Sequence, residues 1–352
     1  MSKFFSQKLS ALTPYTPGEQ PKERKYIKLN TNESPFPPSE KAIKAAFDAA
    51  KILQLYSDPE QRALTSAVAE NLGVDYENVL LTNGSDEILN FAFMAFCDDK
   101  SPAVFADLTY GFYKVFAQLN GVPYEEISLK DDFTIDINDY VGINKTIFIA
   151  NPNAPTGIIL SVDEIEKIVK SNPNNVVVID EAYIDFGGDS CVPLIKKYDN
   201  LLVTRTFSKS RSMAGARLGF GVGFKELIAD LNTIKYSTNP YNVNSMTAAA
   251  GLGTMADEEY TLKNCRTIIE NREYITRELK ALGFELTDSM TNFVFAKHPR
   301  IAGEAIYKGL RERGILVRHF STPRICEYNR ITVGSMDEMR ALAEAIKEII
   351  KE

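Results

Sequence analysis

The stretch LLVTRTFSKSRSMAGARLGFG, residues 201–221, decides how this chain is interpreted. Its first six residues form an apolar run that predicts a buried strand, and Lys209 follows shortly after that run. Thr206 and Ser208 place hydroxyl groups beside the lysine, and Arg217 comes eight residues later. The segment therefore predicts an amine, two hydroxyls and a guanidinium near the end of one strand.

A second strand pattern, VVVIDEAY over residues 176–183, ends on Asp180 and then presents Tyr183. Each residue could have a purely structural role instead of a functional one, since an isolated aspartate often caps a helix and a tyrosine often packs in a core. An aspartate beneath a pyridine nitrogen would keep that nitrogen protonated, and a tyrosine could donate to a ring oxygen. Because ligands bind at the carboxyl ends of parallel strands, Asp180, Tyr183 and Lys209 can converge. Together they predict a pyridoxal phosphate site.

A phosphate-binding turn is predicted where Gly84, Ser85 and Asp86 open a helix directly after the strand pattern VLLT. Free N–H groups and the helix dipole bind phosphate at such a terminus. The pair Asn-Gly before it could equally mark a plain turn. We expect three groups of the lysine segment to complete the phosphate site: Thr206, Ser208 and Arg217.

Three further residues are candidates with open alternatives. Tyr110 follows a short strand and could stack on a cofactor ring or simply pack in the core. Asn153, in the segment NPNAPTG, could reach a cofactor oxygen or belong only to a loop. Arg330 opens the strand pattern RITVG and could clamp a substrate carboxylate or phosphate, or form a salt bridge at the rim.

The composition narrows the class of protein. The 352 residues suffice for two domains, and 44% apolar with 25% charged residues is typical of a chain with a sizeable core. The net charge of −7 argues against nucleic acid or an anionic membrane as a partner. Four scattered cysteines and two isolated histidines predict free thiols and no metal site. Neither a signal peptide nor a membrane span is expected, so we expect a cytoplasmic protein.

The pattern of helices and strands predicts three regions. Residues 1–40 are rich in proline and indicate an arm, which we expect to contribute to the smaller domain and to the substrate pocket. Residues 41–255 alternate helix and strand, which predicts an α/β domain with a mainly parallel sheet sandwiched by helices. Residues 256–352 predict a smaller α+β domain, and the cleft between the two domains is the expected site.

With these motifs in place, the chain resembles the fold-type I pyridoxal-phosphate aminotransferases, the class I/II aminotransferase family. The resemblance covers nearly the whole chain, and it implies that the mainly parallel sheet is of the seven-stranded type. The markers, in chain order, are LTPY, LNTNESP, YSDP, TNGSDE, TYG, NPNAPTG, VIDEAY, TFSKS with AGARLGF, TNF and RITVG.

The resemblance implies a role for each candidate. Lys209 would bond to the cofactor and then move the proton between the substrate carbon and the cofactor, with Asp180 on the pyridine nitrogen and Tyr183 on the ring oxygen. The remaining cofactor contacts would come from Gly84, Ser85, Asp86, Tyr110, Asn153, Thr206, Ser208 and Arg217, and from Tyr56 across a homodimer interface. The substrate would contact Arg330, Arg318, Tyr15 and Asn32.

The resemblance further implies a reaction on a phosphorylated amino alcohol of histidine biosynthesis, with glutamate and 2-oxoglutarate as the second substrate pair. Ala154 departs from the family pattern, which has Asn there, as do Phe36-Pro37-Pro38 and Ser210-Arg211. A threonine-phosphate decarboxylase and an aromatic amino acid aminotransferase remain alternatives. More distant ones are a non-catalytic cofactor-binding protein and a nicotinamide oxidoreductase, the latter resting on the G-x-G at Gly219.

Overall fold

The computed structural model describes residues 4–10 and 12–351. The predicted arm and the predicted C-terminal domain extend beyond these bounds at residues 1–3 and 352, and residue 11 of the arm also lies outside the described part. No helix in residues 4–10 and 12–351 combines the length and the apolar character needed to cross a membrane.

Helices and strands alternate through most of the described chain. The helices are α1 Glu40–Ala50, α2 Arg62–Leu72, α3 Ser85–Phe96, α4 Phe112–Asn120, α5 Val162–Ser171, α6 Lys225–Thr238, α7 Ser245–Met255, α8 Glu258–Ala281, α9 Gly303–Glu312 and α10 Met336–Lys351. The strands are β1 Ile27–Lys28, β2 Val79–Thr82, β3 Ala103–Ala106, β4 Tyr124–Ile127, β5 Thr146–Ala150, β6 Val177–Asp180, β7 Leu201–Thr206, β8 Gly219–Gly223, β9 Glu285–Leu286, β10 Phe293–Lys297, β11 Ile315–Leu316, β12 Arg318–His319 and β13 Tyr328–Thr332.

The larger sheet has seven strands in the order β2-β8-β7-β6-β5-β3-β4, counted over the described residues. Strand β8 is antiparallel to both of its neighbours, and the other adjacent pairs are parallel. The predicted α/β fold with a mainly parallel sheet is confirmed. The carboxyl ends of six strands consequently lie at one edge of the sheet.

Alternate residues of the central strands pack on opposite faces of this sheet. Val177 and Ile179 face one core, which α2 and α5 complete. Val178 faces the other core, to which α3, α4 and α6 contribute. A strand buried on both faces must be apolar throughout, which explains why VVI precedes Asp180.

The C-terminal part forms a second core. A four-stranded antiparallel sheet, β12-β13-β10-β9, packs with α8, α9 and α10. Strand β1 pairs with β11, so residues 27–28 join this part of the molecule. Residues 315–319 form two short strands, β11 and β12, rather than one continuous strand. The domain boundaries after residues 40 and 255 stay predictions.

Candidate active site

A cavity of about 380 Å³ lies at the carboxyl ends of the parallel strands. The predicted residues that line it are Ser85, Asp86, Tyr110, Asp180, Tyr183, Thr206, Ser208, Lys209 and Arg217. They come from five separate segments of the chain, so the sheet edge brings them together. A larger cavity of about 900 Å³ lies beside β2 and α6, and none of the predicted residues lines it.

Asp180 is buried at the end of β6, and its hydrogen-bond donors within the described part of the chain are all neutral groups. Its Oδ1 accepts from Thr204 Oγ1 and from the Ala182 backbone N–H, and its Oδ2 accepts from Tyr113 OH, all at 3.2 Å. Burial raises the pKa of the Asp180 carboxyl to about 6, against the lowering effect of these hydrogen bonds. A buried carboxyl without a cationic partner is well suited to a protonated ring nitrogen.

Lys209 lies beside Tyr183, with its Nζ 5.8 Å from the centre of the tyrosine ring. The ammonium donates one long hydrogen bond, 3.5 Å, to the Thr31 carbonyl oxygen. The Tyr183 hydroxyl accepts a 2.9 Å hydrogen bond from Asn32 Nδ2. Asn32 is buried and does not line the cavity, so in this structure it contacts Tyr183 and holds that hydroxyl in place.

The side chains predicted to bind the cofactor phosphate lie close together around Arg217. Its Nη2 lies 2.7 Å from Asp86 Oδ2, and its Nη1 lies 3.5 Å from Ser208 Oγ. The other Asp86 oxygen accepts a 2.6 Å hydrogen bond from Tyr110 OH, and burial is the largest of the causes that raise the Tyr110 pKa well above its usual range. The guanidinium and a helix N-terminus thus meet at one place.

Glycine is required at position 84 for two reasons. Its φ is +78°, a backbone conformation that residues with a side chain rarely adopt. A Cβ there would lie only 2.5 Å from Arg217 Nη2. The turn therefore allows Arg217 to approach the first N–H groups of α3, which begins at Ser85.

Asn153 is not brought into the cavity. Its Nδ2 donates to the Leu108 carbonyl at 2.9 Å and to Thr156 Oγ1 at 3.0 Å, and its Oδ1 accepts from Thr109 at 2.7 Å. The neighbouring Ala154 lines the cavity instead. Asn153 therefore holds its own loop together, and its predicted contact with a cofactor oxygen has no support in this geometry.

The predicted substrate residues do not line the cavity in this structure: Arg330, Arg318, Tyr15 and Asn32. Arg330 donates from Nη2 to the Asn30 carbonyl at 3.2 Å, while its buried Nε has no hydrogen-bond partner. Burial lowers the pKa of the Arg330 guanidinium from its usual value. Arg318 donates to the Thr16 carbonyl at 3.4 Å, and Tyr15 stacks on Phe112 with ring centres 4.4 Å apart.

Tyr56 lies outside the cavity of its own chain. Its side chain is 84% exposed and stacks on Tyr241 at 4.6 Å. It does not line the cavity of its own chain, and its predicted contact with the phosphate site of a partner subunit stays a prediction. This placement is compatible with the predicted role only if the tyrosine serves another copy of the chain.

Three residues of the N-terminal arm line the cavity but were not predicted individually: Gln20, Thr31 and Glu33. Glu33 accepts hydrogen bonds from Lys28 and Thr31, each at 2.8 Å, and these bonds lower its pKa despite partial burial. Thr31 and Glu33 fall in the LNTNESP marker, which was the available signal. Gln20 had no local signal, because only the folded arm places it at the cavity.

The donor set fits pyridoxal phosphate. A cavity of about 380 Å³ is large enough for one substituted ring, with the Lys209 amine beside it. The buried Asp180 carboxyl suits the ring nitrogen, and Ser85, Ser208 and Arg217 would hold the phosphate. No group of three or more His, Cys, Asp or Glu side chains that could hold a metal ion occurs in residues 4–10 and 12–351.

Comparisons with known proteins agree with this geometry. The model of the family "aminotransferase class I and II" matches residues 24–346. The chain is 48% identical over 353 residues to the histidinol-phosphate aminotransferase of Brachyspira hyodysenteriae, with 100% of both chains covered. It is 46% identical over 351 residues to the protein of that name from Clostridium acetobutylicum, with 99% of this chain and 100% of that protein covered.

A solved structure matches the fold as well. The histidinol-phosphate aminotransferase from Sinorhizobium meliloti, in complex with pyridoxal-5′-phosphate, superimposes with a TM-score of 0.85 at 26% sequence identity. The match covers 93% of this chain and 92% of that chain. The similarity thus extends over both cores described above.

Proposed function

This chain belongs to the aminotransferase class I and II family, whose members depend on pyridoxal phosphate, and we propose that it transfers the amino group between histidinol phosphate and 2-oxoglutarate. The full-length relatives named for that substrate support this choice. The structural observation that carries it is Arg330, a buried guanidinium near Tyr183 that has no counter-ion among residues 4–10 and 12–351. A phosphorylated substrate would supply the missing negative charge.

The chemistry divides between cofactor and protein. When bound, pyridoxal phosphate supplies an electron sink for the pair left behind when a proton leaves the substrate carbon. The Lys209 amine would accept the proton from the substrate carbon and deliver it to the cofactor carbon next to the ring. Asp180 would keep the ring nitrogen protonated, because a carboxylate in a buried site pairs strongly with a cation. Tyr183, whose hydroxyl accepts a hydrogen bond from Asn32, would donate to the ring oxygen.

The substrate's charged end is held by the arginines. Arg330 binds the phosphate or, in the second half-reaction, the side-chain carboxylate of glutamate, and Arg318 adds a second guanidinium at the rim. Tyr15 and the Thr31–Glu33 segment cover the substrate from the arm side. Excluding water in this way strengthens each charged contact with the substrate.

A homodimer is part of the proposal. Apolar side chains on α1 and the segment after it are exposed in the single chain, and they lie next to Tyr56 along the chain: Ile43, Phe47, Ile52, Leu53 and Leu55. A second copy covering this face would bury them and would carry Tyr56 to the neighbouring phosphate site. The four free thiols fit a reducing cytoplasm, where we place the activity.

A half-reaction tests the function. Purified enzyme with bound cofactor is mixed with histidinol phosphate alone, and the visible absorbance band should disappear and then return on addition of 2-oxoglutarate. A Lys209→Ala variant should lose turnover, whereas Lys225→Ala, which removes an exposed lysine at the start of α6, should not. Carbon dioxide release from threonine phosphate, without amino transfer, would replace the proposal by a decarboxylase.

A further inference from the structure

Arg211, two residues after Lys209, forms a two-point ion pair with Glu258. Its Nη1 lies 2.6 Å from Oε2 and its Nη2 lies 3.2 Å from Oε1 of that glutamate. The side chains are 11% and 33% exposed, respectively. A paired, mostly buried guanidinium fixes the relative orientation of the two side chains as well as their separation, because its donors are rigid and planar.

Glu258 is the first residue of α8, and α8 belongs to the C-terminal core through Ile268 and Ile275. Lys209, in contrast, follows β7 of the large sheet. The ion pair therefore connects the lysine segment directly to the helix that begins the C-terminal part. A displacement of α8 would be transmitted to the backbone beside Lys209 through the side chains of Glu258 and Arg211.

The residues on either side of Arg211 are also tied to distinct segments. Ser210 donates a hydrogen bond to Asp185, in the loop after Tyr183. Ser212 donates to Ser34 of the arm at 2.8 Å. Three consecutive side chains after the lysine thus contact three separate parts of the molecule.

We propose that Arg211, acting through Glu258, is a positioning residue that fixes the backbone from which Lys209 moves the proton. A lysine side chain has a long flexible stem, so the direction of its amine depends on a fixed backbone. Proton transfer requires hydrogen-bond reach, and small displacements of the transferring group slow it markedly. This inference rests on the proposed role of Lys209 but concerns a residue outside the cavity.

Two substitutions replace a charged side chain of the ion pair by an uncharged one of similar size: Arg211→Met and Glu258→Gln. In each we expect kcat per bound cofactor to fall about tenfold while KM changes less than about twofold, because binding groups stay in place. The rate at which cofactor-free protein takes up pyridoxal phosphate should also fall. The double variant should be no slower than the slower single variant, since the two residues act as one unit.

Lys41→Met is the matched control. Lys41 lies 3.8 Å from Asp257 and donates to the Ala256 carbonyl at 2.8 Å, so it contacts the start of α8 without contacting the lysine segment. Parental kcat and uptake rate are expected for this variant. Parental kcat per bound cofactor in Arg211→Met, or additive losses in the double variant, would overturn the proposal. Failure of the proposed function is distinguishable, because the parental enzyme would then leave histidinol phosphate unchanged or Lys209→Ala would retain turnover.

Discussion

Arg318 lies directly opposite Arg330 in the antiparallel pairing of β12 and β13. Neither guanidinium forms an ion pair with a carboxylate of the described residues, and the Nε of Arg330 is buried without a partner. Two unpaired like charges side by side raise the free energy of the protein without a ligand. An anion bound between them would relieve that cost, and we propose that this pair of arginines selects a substrate with an anionic group.

Arg330→Met should weaken substrate binding more than the chemical step. We expect kcat/KM for histidinol phosphate to fall about 10- to 100-fold, corresponding to the ~1.5–3 kcal/mol of a hydrogen bond to a charged group. The change should appear mainly in KM. The free energy of unfolding of the cofactor-free protein should stay within about 1 kcal/mol of the parental value, because an unpaired buried charge is removed.

The control for this substitution is Arg340→Met, which removes an exposed arginine of α10 paired only with Asp337. Steady-state kinetics should then match the parental protein. An Arg330→Met variant with parental kcat/KM would show that the phosphate is bound elsewhere.

Asp180→Asn should change the pH dependence of stability in the cofactor-free protein. Burial raises the pKa of Asp180 to about 6, above its value in the unfolded chain, so the folded state binds a proton more tightly. The tighter binding of this proton stabilises the folded protein. This contribution of Asp180 to the unfolding free energy is fully present below about pH 4 and is lost as pH rises through 6, to a total of roughly 2–3 kcal/mol. Asparagine does not titrate, so the difference in unfolding free energy between the two proteins should shift by that amount between pH 4 and 7.

Denaturant titrations at several pH values measure this difference. A pH-independent difference would contradict the raised pKa. With cofactor bound, the same substitution should reduce kcat by about 100-fold or more, because the cation on the ring nitrogen loses its partner, a cost of several kcal/mol for a buried pair.

Gly84→Ala and Gly73→Ala form a matched pair for the phosphate turn. Both glycines have positive φ, at +78° and +65°, so each alanine should cost about 1 kcal/mol of stability. Only at position 84 would the new Cβ approach Arg217, whereas nothing lies within 4 Å at position 73. Gly84→Ala should therefore raise the Kd for pyridoxal phosphate about tenfold or more, equivalent to ~1.4 kcal/mol. If absorbance titration gave equal affinities for pyridoxal phosphate in the two variants, Arg217 would not be part of the phosphate site.

Mixing Lys209→Ala with Tyr56→Phe tests whether Tyr56 serves the partner subunit. In a mixed dimer, the lysine of one chain would face the tyrosine of the other, so one site would be intact. After unfolding and refolding together, activity should recover to about a quarter of the parental value, as random pairing of two subunits gives. Recovery no greater than the average of the two variants would place Tyr56 outside the shared site.

Much of the fold follows from local sequence patterns. The strand pattern VLLT coincides with β2, because an apolar run flanked by turn residues defines a buried strand within a few residues. Strand β4 was not predicted. Its sequence YEEI contains two exposed glutamates at the edge of the sheet, so no apolar run marks it.

The candidate site was predictable where side chains follow strand ends, as for Asp180 and Lys209. It was not predictable where partners come from distant segments. The Tyr113 hydroxyl reaches Asp180 across 67 positions, and Asn153 turns toward Leu108 rather than toward the cavity. Such contacts depend on the packing of helices and loops, which a local pattern does not contain.

Lys209 is proposed to act in amino transfer from histidinol phosphate. The most direct measurement is a single-turnover reaction of the purified enzyme with bound cofactor and histidinol phosphate, followed by mass spectrometry of the organic product. The account predicts imidazole-acetol phosphate and, after 2-oxoglutarate is added, one glutamate per active site, with neither product formed by Lys209→Ala. Histidinol phosphate left unchanged by the parental enzyme, or equal product formation by Lys209→Ala, would contradict it.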